Sequence, residues 1–561
     1  MKNNHRMTWA GRALTAFALL LLVSCSRISA WKARNGITAE SLLSEIKVLA
    51  SDDFEGRKPG TAGEAKTVAW LEQQFRQMGL KPGNPDGTYF QKVPLAGITS
   101  TNTAEIAVRG QKLALTDKKD YIALSSHFAP TVEVKKSDVV FVGYGVVAPE
   151  YGWDDYKGVD VKGKTILMLI NDPAVPDPAN PRELDPKYFK GKAMTYYGRW
   201  TYKYEIASQK GAAAAIIIHE TGPAGYPFEV LTGSAASEHF SLQRADNNES
   251  RVPVEAWISQ DKAAELLKLA GQDLAQLKRA AVARDFQPVA LEGVTASFTI
   301  SNTLRKIESR NVVARVEGGE DSMRDQWMVY TAHWDHLGKD TDLPGHRVFN
   351  GAVDNASGVA GLLEIARVFA RLSPAPKRSV LFLATTAEEQ GLLGAQYYAE
   401  HPLYPLKRTL ADINMDGLNV WGKTKDVTII GYGYSNLDDL ADRVLKFHDR
   451  TITADPEPEK GYYYRSDHFE FAKQGVPSFD PKPGVNFVGK PADYSEKVRS
   501  AYVSRDYHKP TDQVKPDWDL SGAVEDLGAF FDIGYRLAGG EPFPDWNVDS
   551  EFRSKRDAMM K

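Results

Sequence analysis

Trp327-Met328-Val329-Tyr330-Thr331 is an apolar run, and Ala332-His333-Trp334-Asp335-His336 follows it at once. Buried strands read as short apolar runs, and a polar cluster directly after one lies at the strand's carboxyl end. The same grammar repeats downstream. Val380 to Ala384 is a continuous apolar strand that precedes Glu388-Glu389, and Thr409 to Met415 leads into Asp416-Gly417. Between them, residues 357–372 carry an apolar stripe at helical spacing (Val359, Leu362, Leu363, Ala366, Phe369), and Leu392 to Ala399 is a second helix. Alternating strands and helices with buried strands define an α/β layered fold. In such folds binding groups gather beyond the carboxyl ends of the strands.

At 561 residues the chain exceeds one ordinary core, so two domains or a large insertion are expected. The net charge of −4 and the absence of a long basic run exclude a typical nucleic-acid binder. The segments Leu42 to Leu49 and Glu64 to Met78 have helical spacing, with the Gly/Pro-rich loop Phe54-Glu55-Gly56-Arg57-Lys58-Pro59-Gly60-Thr61 between them. Tyr89 to Leu95 and Glu105 to Val108 have strand character. Character changes near residue 130. Val139 to Gly145, Thr165 to Ile170 and Ala212 to His219 look like strands, and Tyr204 to Gln209 and Leu266 to Leu277 look like helices. Residues 130–290 are therefore expected to form an inserted β-rich module. Residues 41–129 and 291–540 would form the main domain, with a helix over Ala523 to Leu537 and a loose polar tail over 541–561.

The single cysteine excludes an intrachain disulfide. Lys2, Arg6 and Arg12 give a basic start, Ala13 to Val23 is apolar, and Leu22-Val23-Ser24-Cys25 closes the run. This is a secretory signal pattern, too short for a spanning helix. It resembles a bacterial lipobox, which implies lipidation of Cys25, a tether over 26–40 and membrane contact through the lipid. Ser26 implies the periplasmic face of the outer membrane; the alternative is a soluble exported protein.

The chemistry lies in five motifs: residues 332–336, Asp354-Asn355-Ala356-Ser357-Gly358, Glu388-Glu389, Asn414-Met415-Asp416-Gly417, and Tyr507-His508. Neutral imidazole and carboxylates suit zinc. Asp335 lies two residues after His333, on the same side of an extended segment, where it can fix the imidazole tautomer. Asp354 precedes a helix and can serve as its N-cap or as a carboxylate bridging two metals. Glu388 and Glu389 diverge in an extended backbone, so one can bind metal while the other faces water. Arg465-Ser466-Asp467-His468 before Gly475-Val476-Pro477 reads as site wall.

As an ordered set these motifs resemble the two-zinc aminopeptidase family, metallopeptidase family twenty-eight. The resemblance implies a mixed, mostly parallel central sheet flanked by helices, with two zinc ions per chain and cobalt or manganese as possible substitutes. It implies His333, Asp354 and Asp416 on one metal and Asp354, Glu389 and His508 on the other. Glu388 would be the general base, Asp335 the orienter of His333 and Tyr507 an oxyanion stabiliser. A cis peptide is implied after Asp354. The stretch from Gly143 to Lys164 resembles a protease-associated domain.

The activity so implied is removal of N-terminal residues from peptides, by attack of a water bridging the two metals. A carboxypeptidase or dipeptidase on the same site would need a cation such as Arg465. A glutaminyl cyclase would need only one zinc, and a non-catalytic scaffold would have lost ligands. No Gly-x-Ser-x-Gly elbow occurs, and His219-Glu220 is followed by Thr221-Gly222-Pro223 rather than a second zinc histidine. The lipobox reading predicts that Cys25→Ala moves the exported protein from the detergent phase to the aqueous phase in a phase-partition assay. Equal partitioning of both forms would exclude lipidation at Cys25.

Overall fold

The computed structural model describes residues 30–235 and 237–561. The expected signal segment with Cys25, and the start of the tether, lie outside the described residues. The later part of the expected tether is not loose: Ala30 and Ile37 are buried. None of the described helices is long and apolar enough to cross a membrane. The chain forms two compact units. One contains residues 30–93, Ser309–Asp455 and Ser466–Lys561; the other contains Pro94–Glu308 and Pro456–Arg465.

In the first unit the helices α1 (Ala39–Leu49) and α2 (Ala62–Gln77) come first. Strand β1 is the second half (309–316) of a long strand, Val289–Val316. Then follow β2 (Trp327–His333), α3 (Gly358–Ala370), β3 (Ser379–Thr385), α4 (Leu393–Glu400) and β4 (Thr409–Asn414). After these come β5 (Asp426–Ile430), α5 (Leu437–Phe447), β6 (Thr451–Ala454), β7 (Ser478–Pro483) and α6 (Ser521–Ala538). The strand order is β6-β5-β7-β4-β2-β3-β1. The central pairs β3/β2, β2/β4 and β4/β7 are parallel, while β1/β3 and β5/β7 are antiparallel. The sheet is thus mixed and mostly parallel, flanked by helices.

Register sets the site. His333 pairs with Thr385 and Thr331 with Asn414, so the carboxyl ends of β2, β3 and β4 finish side by side. Helix α3 is buried almost all round, beyond its predicted stripe. One side lies in the core with β2 and β3, and Leu42 and Ile46 of α1 and Leu527 and Phe531 of α6 belong to the same core.

The second unit is also built on parallel strands. Strands Thr131–Phe141, Thr165–Leu169, Ala214–His219 and Val254–Ser259 run parallel in that order. The first half of Val289–Val316 flanks one edge and Tyr121–Leu124 the other, both antiparallel. The insertion expected over 130–290 begins instead at Pro94 and ends at Glu308. The expected strands at 89–95 and 105–108 are one strand, Phe90–Val108, and it crosses the boundary without a break. A composition change therefore falls inside the module rather than at its edge. The helix expected over 266–277 is two helices, Gln260–Leu269 and Leu274–Ala281. Gly271 adopts φ +78° between them, and Asp273 caps the second by accepting from the Gln276 N–H.

The C-terminal segment is also corrected. Residues 541–561 are not a loose tail: Trp546 and Phe552 are buried, and Arg553–Met560 is helical. The Trp546 indole N–H donates to the Gly475 carbonyl at 3.0 Å. Two large aromatic side chains outweigh the polar composition around them. Trp546→Ala is expected to cost about 3–5 kcal/mol of stability, measurable as a lower midpoint in chemical denaturation. An unchanged midpoint would show that the segment is not anchored.

Candidate metal centre

Five motifs converge at the carboxyl end of the sheet in the first unit. His333 is the last residue of β2, Glu388 and Glu389 follow β3, and Asp416 follows β4. Asp354 lies in an irregular turn over Ala352–Ser357 with non-helical φ/ψ, so it is separate from the N-cap position of α3, which Ser357 occupies. The Asp354–Asn355 peptide is cis. The Asn355 Nδ2 donates to the Met415 carbonyl at 2.9 Å, and its Oδ1 accepts from the Gly358 and Gly417 N–H groups at 3.0 and 2.9 Å. Asn355 thereby ties the Asp354 turn to the Asp416 turn. Only glycine fits at 358, where a Cβ would stand 2.2 Å from the Met415 carbonyl oxygen.

The two oxygens of Asp354 face two different histidines. Oδ1 is 3.3 Å from His333 Nε2, and Oδ2 is 3.2 Å from His508 Nε2. His333 Nε2 is also 3.3 Å from Asp416 Oδ1 and 3.9 Å from Glu388 Oε2. His508 Nε2 is 3.0 Å from Glu389 Oε2. Ligand atoms at about 2.0 Å from a tetrahedral zinc stand roughly 3.3 Å apart, so both groups have the spacing of a ligand set. The ligand atoms of His333, Asp354 and Glu389, and those of His333, Glu388 and Asp416, lie within 4.8 Å of one another.

A second observation agrees. His333 Nδ1 donates to the Asp335 carbonyl at 3.2 Å. In the neutral ring this leaves the Nε2 lone pair directed at Asp354 and Asp416, which is repulsive unless a cation lies between. Without one, a proton must serve. Burial pushes His333 down, yet Glu388, Asp354 and Asp416 outweigh it and raise it well above the usual range. His508 is raised to about 11 because Glu389 and Asp354 overcome its burial. Burial raises Asp354, but hydrogen bonds from His333 and His508 hold it well below the carboxylate range. Glu389 falls to about 2 in spite of burial and of Asp354, held down by His508 and His336. The donor set fits two divalent cations.

Other groups lock these ligands, and sequence reasoning missed most of them. Arg57 is almost fully buried. Its guanidinium donates to the carbonyls of Leu49, Trp334, Asn350 and Gly351 at 2.7, 2.9, 2.6 and 3.0 Å. It clamps the turn after His333 to the turn before Asp354. Asp512 accepts from the Val353 and Asp354 N–H groups, both at 3.1 Å. Lys482 donates to the Asp416 carbonyl and to Asp480 Oδ2, the latter at 2.8 Å. His336 Nδ1 donates to Glu389 Oε1 at 2.5 Å, so it holds a carboxylate of the group. The available signals were the glycine-rich loop around Arg57 and the two-residue spacing of Asp480 and Lys482 on β7.

One expected role shifts. The Asp335 carboxylate lies 3.8 Å from His333 Nδ1, and its Oδ1 accepts from the Glu388 N–H at 3.1 Å. Asp335 therefore orients His333 through its main chain and Glu388 through its side chain. The Tyr507 ring stacks on His508 with centroids 3.9 Å apart. Tyr507 is 43% exposed, and desolvation of its phenol together with the carboxylates of Asp354 and Glu389 raises it well above the usual range. Ser466 accepts from Asn414 Nδ2 at 2.7 Å, and Asp467 accepts from the Thr385 hydroxyl. This segment braces the ends of β4 and β3.

The model of peptidase family M28 matches residues 311–531, the stretch that carries all five motifs. A probable zinc metalloprotease of Pyrenophora teres f. teres (strain 0-1) is 42% identical over 106 residues, 19% of this chain and 22% of that protein. The aminopeptidase NAALADL1 of Mus musculus is 34% identical over 129 residues, 22% of this chain and 16% of that protein. The matches thus span about a fifth of the length of these curated relatives. The aminopeptidase from Aneurinibacillus sp. strain AM-1 aligns with a TM-score of 0.47 and 18% identity, over 91% of this chain and 96% of that one. The likeness is to zinc metallopeptidases, and it supports a peptide hydrolase.

If Arg57 is the clamp, Arg57→Met should lower zinc affinity about 10- to 100-fold in chelator competition, with Arg57→Lys in between. Wild-type zinc affinity in folded Arg57→Met would exclude the positioning role.

Proposed function

We propose that the protein is a zinc-dependent exopeptidase, most simply an aminopeptidase, with His333, Asp354 and Asp416 on one ion and Asp354, Glu389 and His508 on the other. The observation that carries this is the division of Asp354, one oxygen toward each histidine. Zinc bound there would polarise a peptide carbonyl and make water acidic near neutral pH. Glu388 is the remaining carboxylate, and burial and Asp416 raise it well above its ordinary range. A carboxylate poised in this way accepts a proton from the attacking water and returns it to the leaving amine. Asp335, through the Glu388 N–H, fixes where that proton is held. The Tyr507 phenol supplies a donor for the developing oxyanion.

The cations of the group are committed: Arg57 to four carbonyls, Lys482 to Asp480 and Asp416. Neither is left to hold the chain-end carboxylate of a substrate. A carboxypeptidase or dipeptidase stays the alternative on the same ligands. Export with a lipid on Cys25 belongs to the same proposal, supported by the basic and apolar start of the chain.

Matched peptides, free, N-acetylated and C-amidated, should lose residues stepwise from the N-terminus, with loss blocked by acetylation and by chelator. C-terminal loss blocked by amidation would replace the aminopeptidase reading. Glu388→Gln should retain zinc and lose turnover by at least about 100-fold; normal turnover would remove Glu388 as the base.

A further inference from the structure

The excursion Pro456–Arg465 belongs to the second unit although the chain on both sides of it belongs to the first. It is held there by the Met194 N–H, which donates to the Pro458 carbonyl at 3.0 Å, and by Tyr464, whose ring centroid lies 6.1 Å from that of Tyr196. It brings Arg465 into the neighbourhood of Arg199. The Nε atoms of both arginines are buried without a hydrogen-bond partner. Neither guanidinium has an ion-pair partner among the described residues. Arg465 lies over the Tyr462 ring at 5.6 Å, and its Nη2 would be 3.9 Å from a Cβ at Gly225. Burial, then repulsion from Arg465, pushes Arg199 down to about 10. Burial raises the Tyr226 phenol, and both arginines act on it.

Buried charges in proteins are normally paired. Elsewhere in this unit cations find partners: buried Lys203 donates to the Tyr144 and Asn171 carbonyls at 2.6 and 3.1 Å, and the more exposed Arg251 and Arg305 meet Glu255 and Glu238 at 2.8 and 2.6 Å. Two neighbouring guanidiniums with orphaned Nε–H groups and a protonated phenol are a set of donors without an acceptor. We propose that Arg199, Arg465 and Tyr226 form an anion site in the second unit that takes a carboxylate group. A guanidinium matches a planar carboxylate with two parallel N–H donors, and a tyrosine hydroxyl can add a third. The three residues come from separate chain segments, so their convergence is not a consequence of local sequence.

The carboxylate can come from a peptide's chain end or from an acidic side chain, and the probes separate the two. Titration calorimetry on the whole zinc-loaded protein would use N-acetylalanine for the chain end and the N-acetyl α-amide of glutamate for the side chain. N-acetylalaninamide and inorganic phosphate would be the controls. One or both carboxylates should bind saturably and the amide should not. Arg199→Gln and Arg465→Gln should each weaken binding about tenfold or more. Carboxylate binding that survives in both variants, binding of phosphate alone, or no carboxylate binding would overturn the proposal. Wild-type protein gives a second measurement: phenylglyoxal labelling of Arg199 and Arg465, mapped by mass, should fall when the bound carboxylate is present. Labelling unaffected by it would also overturn the proposal. Binding is read without turnover, so this inference and the peptidase reading fail separately.

Discussion

Carboxylate repulsion is the constraint on which the first unit is built. Asp335, Asp354, Glu388, Glu389 and Asp416 gather at the end of one sheet, and Asp335 and Asp354 are buried. Two unit charges about 4 Å apart interact by about 4 kcal/mol at an effective dielectric of ~20. A few uncompensated pairs of that size would consume the whole stability of a typical domain, about 5–15 kcal/mol. The chain offers three imidazoles to the cluster, and His333 and His508 are forced toward their protonated forms by it. Protons on His333 and His508 balance part of the charge. Divalent cations would balance more of it while leaving both rings neutral, the form in which imidazole binds a metal.

The surrounding structure makes sense as resistance to that repulsion. Asp354 and Asp416 are held through their backbones as well as their side chains. Arg57 grips carbonyls on both sides of the group, Asp512 grips the amides at Val353 and Asp354, and Asn355 joins the Asp354 and Asp416 turns. Backbone clamps cannot swing away on a side-chain torsion, so the carboxylates stay converged when the cation is absent. The parallel register of β2, β3 and β4 does the coarse positioning, and the clamps set the remaining ångströms.

The α/β class and the strands delivering His333, Glu388 and Asp416 were legible because apolar runs followed by polar clusters are local patterns. His508 was legible only through the ordered set of motifs, since one late histidine has no periodic context. Arg57 was not legible as a clamp: its four acceptors come from three distant segments, and carbonyls leave no mark in a sequence. The packed C-terminus was hidden for a similar reason. Composition there is polar, and two aromatic anchors, Trp546 and Phe552, decide the outcome. The module boundary was misplaced because Phe90–Val108 and Val289–Val316 run through it as continuous strands. Strand continuity is set by pairing partners far away in sequence.

Charge compensation also separates structural from functional ionic groups in this chain. Where a buried charge serves the fold, the chain supplies its partner. Arg450 meets Asp526 at 2.6 Å, Arg367 meets Glu45 at 2.5 Å, and buried Lys203 donates to the carbonyls of Tyr144 and Asn171 at 2.6 and 3.1 Å. Two places differ, with opposite signs: the carboxylates of the first unit outnumber the Arg57 and Lys482 cations beside them, and the arginine pair of the second has no ion-pair partner among the described residues. Each forgoes stability that a single substitution could restore, for example by removing one arginine. Each of these two sets would be neutralised in part by a ligand of opposite charge.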